Sequence, residues 1–84
     1  MAVIDERLRD RIREAPREVY QVIVRTDGET GEVAEICRSR GMVVHRMFNL
    51  LPGLSVTAKG EALLELADNP HVKRIEADRE VRAF

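Results

Sequence analysis

The chain has 84 residues, a formal net charge of −1, one cysteine, 44% hydrophobic and 35% charged residues. That is one small domain with a globular rather than a disordered balance. It excludes an internal disulfide and an electrostatic drive toward nucleic acid. No apolar run approaches the ~20 residues that a membrane-spanning helix needs.

The opening segment, Met1-Ala2-Val3-Ile4-Asp5-Glu6-Arg7, does not read as a secretion signal, because its apolar stretch is short and acids follow at once. The expectation is a cytoplasmic protein, or an extracellular one if the chain is excised from a longer precursor. Residues 3–15 read as a helix, with Ile4, Leu8, Ile12 and Ala15 at helical spacing and Pro16 as its stop. The apolar stripe is narrow, so this helix needs a surface to lie on, either its own domain or a second chain, and otherwise frays.

Residues 18–25 read as a β-branched strand with apolar residues on both faces, hence a central one. Asp27-Gly28 marks a turn. Residues 30–40 read as a helix burying Val33, Ile36 and Cys37, with Gly41 as the C-terminal stop. Residues 42–49 and 53–58 read as two strands joined by a hairpin through Asn49-Leu50-Leu51-Pro52-Gly53. Thr57 is placed to cap the next helix, whose stripe is Leu63, Leu66 and Ala67 and whose end is Asn69-Pro70. Residues 72–77 read as a last strand. Val72 and Ile75 break strict alternation, which predicts a bulge or an irregular strand.

After the first helix the order is β-α-β-β-α-β. The expected fold class is therefore α+β, a ferredoxin-like sandwich with two helices on one face of a four-stranded antiparallel sheet, plus an extra N-terminal helix. The first and third strands are expected in the centre and the second and fourth at the edges. One sheet face is left without helices. The predicted organisation is a helical extension over residues 1–16, a domain over 17–78 and an extended tail over 79–84.

Catalytic chemistry is hard to find. His45 lies in a predicted strand and His71 in a turn, away from each other and from Cys37, so no metal-ligand spacing arises. Cys37 falls on an apolar helix stripe with no activating neighbour. Ser39 and Ser55 belong to no recognisable triad, and Gly28 and Gly31 lack the lysine and spacing of a phosphate loop. RNA-binding domains of this strand order stack bases on aromatic residues, and here the aromatics are Tyr20, Phe48 and Phe84. The expectation is a chain that is not an enzyme and has no metal, cofactor, nucleic-acid or membrane partner.

The end of the chain is more informative. Ile75-Glu76-Ala77-Asp78-Arg79-Glu80-Val81-Arg82-Ala83-Phe84 has acids at alternate positions, no glycine or proline, and an aromatic last residue. An extended peptide ending in a large apolar side chain and a free carboxylate looks like the acyl half of a cleaved protease substrate.

Three segments carry a family resemblance: Tyr20-Gln21-Val22-Ile23-Val24, Leu51-Pro52-Gly53-Leu54-Ser55-Val56-Thr57, and the run from Leu63 through Asn69-Pro70 to Val72-Lys73-Arg74-Ile75-Glu76-Ala77-Asp78. In order and spacing, the stretch from Tyr20 to Phe84 resembles the subtilisin propeptide family of protease inhibitors. Residues 3–15 lie outside that family's usual pattern, and the helix over 30–40 matches it weakly.

The resemblance implies a partner, a subtilisin-like serine protease, and a mode of docking. The helix-free sheet face would pack on two surface helices of the protease, with Glu76 and Asp78 capping their N-termini. The tail would enter the substrate cleft as an added strand. Phe84 would fill the primary specificity pocket and Ala83 would lie near the catalytic histidine. Arg82 would point to solvent, and Val81 would occupy the fourth subsite. The Phe84 carboxylate would sit beside the catalytic serine. Such a domain inhibits in trans, or templates the folding of its own protease when it is a prodomain. Two alternatives stand beside it. One is a small-molecule-binding regulatory domain of the same fold, using Gly28, Gly31 and the N-terminal helix. The other is a module that self-associates through residues 3–15.

Overall fold

In the computed structural model, residues 1–78 are described. Eight elements follow one another: β1 (Val3–Ile4), α1 (Glu6–Glu14), β2 (Val19–Thr26), α2 (Thr30–Ser39), β3 (Val43–Phe48), β4 (Gly53–Lys59), α3 (Gly60–Leu66) and β5 (Val72–Ala77). The fold is mixed α+β, a five-stranded sheet in the order β1-β5-β2-β4-β3 with three helices.

The sheet has five strands where four were expected, and the difference lies at the N-terminus. Val3 and Ile4 are not the start of a helix. They pair in parallel with Arg74 and Ile75, and this strand is secured by Ala2 N–H donating to Ala67 O and Asp5 N–H to Ile75 O. The helix begins one residue after Asp5, whose carboxylate accepts from Leu8 N–H at 3.3 Å as an N-cap. As a result β5, expected at an edge, is covered on its outer side. An unpaired edge strand is a template for aggregation, and the two-residue β1 shortens one of the sheet's two edges. The other, β3, has its hydrogen-bonding edge open among the described residues.

The narrow stripe of α1 finds its surface within the chain. Ile4, Leu8 and Ile12 are buried in one core with Val22, Val24, Val33, Cys37, Leu54, Val56, Leu63, Leu66 and Ile75. Tyr20 reaches up from β2 and its hydroxyl donates to Ala15 O at 2.8 Å, tying the end of α1 to the sheet. Gly60, at the start of α3, leaves room for Ile12. A Cβ there would lie 2.9 Å from the Ile12 side chain.

The predicted stop of α2 is a complete C-terminal motif. Gly41 takes φ +79°, Gly41 N–H donates to Arg38 O at 3.1 Å and Met42 N–H to Cys37 O at 3.0 Å. Met42 is buried beside the helix end. Thr57, by contrast, caps nothing. It lies inside β4, and α3 starts after an extended Lys59 that makes no side-chain cap. The expected irregularity in β5 is present: Arg25 pairs with Arg74, but Thr26 pairs with Val72, so Lys73 is the extra residue of a bulge. That bulge turns Val72 inward while keeping Ile75 in the core. Among the described residues no helix is long and apolar enough to cross a membrane.

Candidate docking face

Strand alternation divides the sheet. Tyr20, Val22 and Val24 on β2, Leu54, Val56 and Ala58 on β4, and Ile75 on β5 face the helices. The intervening residues form the opposite face, which no described helix covers. Register lines them up in three rows across the strands. The first is Phe48–Gly53–Arg25–Arg74–Val3, from β3 to β1. The second is Arg46–Ser55–Ile23–Glu76. The third is Val43–Thr57–Gln21, closed by Asp78, whose N–H donates to Gln21 O at 3.1 Å.

Both predicted acids therefore sit on the helix-free face, in adjacent rows. Each is held by neighbours. Glu76 lies between two guanidiniums, 3.1 Å from Arg74 Nε and 3.8 Å from Arg25 Nη2. Arg25 and Arg74 are direct cross-strand partners, and like charges so placed repel. Glu76 offsets that repulsion, and Asp5 adds a second anion 3.9 Å from Arg74. Asp78 Oδ2 accepts from Ser55 Oγ at 3.2 Å and from Gln21 Nε2 at 3.3 Å. Ser55 is buried on this face and its hydroxyl is satisfied by that bond.

The β3–β4 hairpin end of the face is apolar and cationic together. Phe48 carries the Arg46 guanidinium 5.0 Å and the Arg25 guanidinium 5.9 Å from its ring centre. Gly53 lies between Phe48 and Arg25. A Cβ there would meet Val24 O at 2.6 Å, so a larger residue would push the two strands apart. Leu50 at the tip is 98% exposed and Leu51 is 64% exposed. An open cleft of about 930 Å³ runs from this tip to Asp78, lined by Ile23, Arg25, Phe48, Leu51, Arg74 and Glu76 among others.

The remaining candidates are dispersed. Cys37 is buried in the core, and burial pushes its thiol above the ordinary value, toward the unreactive protonated form. The Ser39 hydroxyl donates to Ile36 O within its own helix. His45 sits at a bulge in β3 and shares a 2.6 Å hydrogen bond with Thr57. Among the described residues no three His, Cys, Asp or Glu side chains are grouped to hold a metal. Gly28 and Gly31 border a separate shallow cleft with Thr30, Phe48 and Pro52. Val81, Arg82, Ala83 and Phe84 lie outside the described residues.

Sequence reasoning did not connect Arg25, Arg74, Gln21 and Ser55, which hold the two acids, with them. The alternation in β2 already set Gln21, Ile23 and Arg25 opposite Val22 and Val24, and that signal would have placed them on the open face. Comparison with models of known protein families and with curated proteins returned no match.

Proposed function

We propose that this chain inhibits subtilisin-like serine proteases, docking its helix-free face on the enzyme and binding the active-site cleft as a product through residues 81–84. On this reading the unit β2-α2-β3-β4-α3-β5 is a ferredoxin-like sandwich to which β1 and α1 have been added. The strand order β5-β2-β4-β3 within the sheet is compatible with it.

The observation that carries the proposal is the placement of Glu76 and Asp78. They lie on the uncovered face, two residues apart, at the end of the strand that leads into the C-terminal six residues. Residues so spaced are about 7 Å apart along a strand. Packed helices lie about 8–10 Å apart, so two flexible carboxylates can each reach the N-terminus of one helix of a packed pair. The face itself suits a protein surface: Val3, Val19 and Val43 are more than half exposed among polar side chains.

Magnitudes rank the contacts. Docking exchanges the partly exposed Glu76 ion pairs, worth about 0–1 kcal/mol, for a helix N-terminus worth about 0.3–1 kcal/mol, rising to about 2 when partly buried. That exchange nearly breaks even, so the acids orient more than they tighten. A buried aromatic anchor contributes about 2–4 kcal/mol, which makes Phe84 the dominant contact. The folded domain and the tail share one association cost, so each raises the effective concentration of the other. A prodomain of the same build would also template its protease. The test is a titration against a subtilisin-type protease, comparing the full chain with a chain ending at Val81. Full-length inhibition with loss on truncation supports the proposal, whereas digestion of the full-length domain without inhibition defeats it.

One observation favours a second reading, a small-molecule-binding regulatory domain: the cleft beside Phe48 is lined by Arg25, Arg46 and Arg74. Such a domain would not need Phe84, so the same truncation separates the two.

A further inference from the structure

We propose that His71 is a proton-responsive clasp between the turn that enters β5 and the turn that enters α2, two-armed when its imidazole is protonated and one-armed when it is neutral. The clasp joins segments 44 residues apart in the chain. Its backbone half is independent of pH: Asp27 N–H donates to His71 O at 3.1 Å, and His71 N–H donates to Asn69 Oδ1 at 2.8 Å.

The side-chain half depends on the proton. Nδ1 of His71 is 3.2 Å from both carboxylate oxygens of Asp27, and Nε2 is 3.9 Å from Glu32 in the first turn of α2. A neutral imidazole has one N–H, so it can donate toward one of these carboxylates while presenting a lone pair to the other. Protonated, it carries an N–H on both nitrogens, so the hydrogen bond to Asp27 is joined by a charge contact to Glu32 across 3.9 Å. The charged groups facing His71 are acidic: Asp27 in the turn after β2, Glu29 at the cap of α2, and Glu32 on α2.

The direction of both titrations follows. The hydrogen bond to Asp27 holds His71 above its ordinary value of 6.5, and the same bond holds Asp27 below its ordinary value of 3.8. A raised histidine stabilises the fold fully below its unfolded value, and that contribution is lost as pH rises through the folded value. A lowered aspartate stabilises above its unfolded value, and its contribution is lost as pH falls through the folded value. The clasp is therefore complete between about 3.8 and about 6.5 and loosens on the alkaline side. What it secures is the bulged start of β5, the strand that carries Glu76.

Two measurements test this without reference to any partner. The first is an NMR titration of the His71 ring in the wild type, Asp27→Asn and Glu32→Gln. The second is urea unfolding at about pH 5.5 and about pH 8.5, on either side of an ordinary histidine, in the wild type, His71→Gln and a His45→Gln control. The clasp predicts that the His71 midpoint falls in Asp27→Asn and falls less in Glu32→Gln. It also predicts that the wild type loses urea resistance at the higher pH, and that His71→Gln, not His45→Gln, removes most of that loss. If Asp27→Asn fails to fold, Glu32→Gln and the unfolding series still decide. A His71 midpoint that neither acid moves, or an equal pH-dependent loss in His71→Gln, overturns the proposal.

Discussion

The two faces of one sheet are made by alternate residues of the same strands, yet they follow different rules. On the covered face Val22, Val24, Leu54, Val56 and Ile75 have no exposure at all. On the open face Val43 is 53% exposed and Val19 is 60% exposed, and the centre is a mesh of arginine, carboxylate, serine and glutamine. The covered face holds the fold by removing apolar area from water. The open face contributes ion pairs of small net value. Changes there should therefore cost little folding stability, and on the proposed reading they should act on docking instead.

The sharpest way to break this comparison is to cut into the covered face. Leu54→Ala, or Ile12→Ala on α1, should cost about 2–5 kcal/mol of stability, because each leaves a cavity in a closed core. Urea unfolding checks both. An Ile12→Ala loss comparable to Leu54→Ala would place residues 1–16 within the cooperative unit, whereas a negligible loss would make them a loosely attached extension.

Under the proposed docking, removing Arg82-Ala83-Phe84 should weaken protease inhibition by roughly 30- to 1000-fold, the equivalent of about 2–4 kcal/mol, with unfolding unchanged. A truncated chain that unfolds more readily would mean that the tail belongs to the fold rather than to a partner. Glu76→Gln with Asp78→Asn should weaken inhibition about tenfold or less, more at low salt than at high salt. If salt makes no difference, the acids do not act through charge. Val43→Ala, one strand over from Leu54, should change stability by no more than about 0.5 kcal/mol. A larger loss would contradict the division between the faces.

Much of this was legible from the sequence. The alternation of β2, the leucine stripe of α3, the glycine stop of α2 and the uneven spacing of Val72 and Ile75 each follow from local periodicity, and each element lies where that periodicity put it. The missed element was β1. A two-residue strand has no period of its own, and Ile4, Leu8 and Ile12, spaced by four, extend the helical pattern backward through it. Asp5 was the overlooked signal, because an N-cap there ends the helix before Ile4. Thr57 misled for the opposite reason. Its residue type suits a cap, but pairing with Gln21 and Val43 keeps it in the strand. On the open face, Glu76 and Asp78 were named from the sequence resemblance, and their capping role stays a proposal. Their partners Arg25, Gln21 and Ser55 come from strands remote in sequence, brought alongside by a register that local propensity does not encode.

The most direct test of the docking account is the inhibition constant of the full chain against a subtilisin-type protease, measured beside that of the chain ending at Val81. The account predicts tight, slowly reversible inhibition by the first and a loss of at least about 30-fold in the second, the lower bound for a buried aromatic anchor. Equal constants for the two chains, or proteolysis that proceeds undiminished in the presence of the full chain, would contradict it.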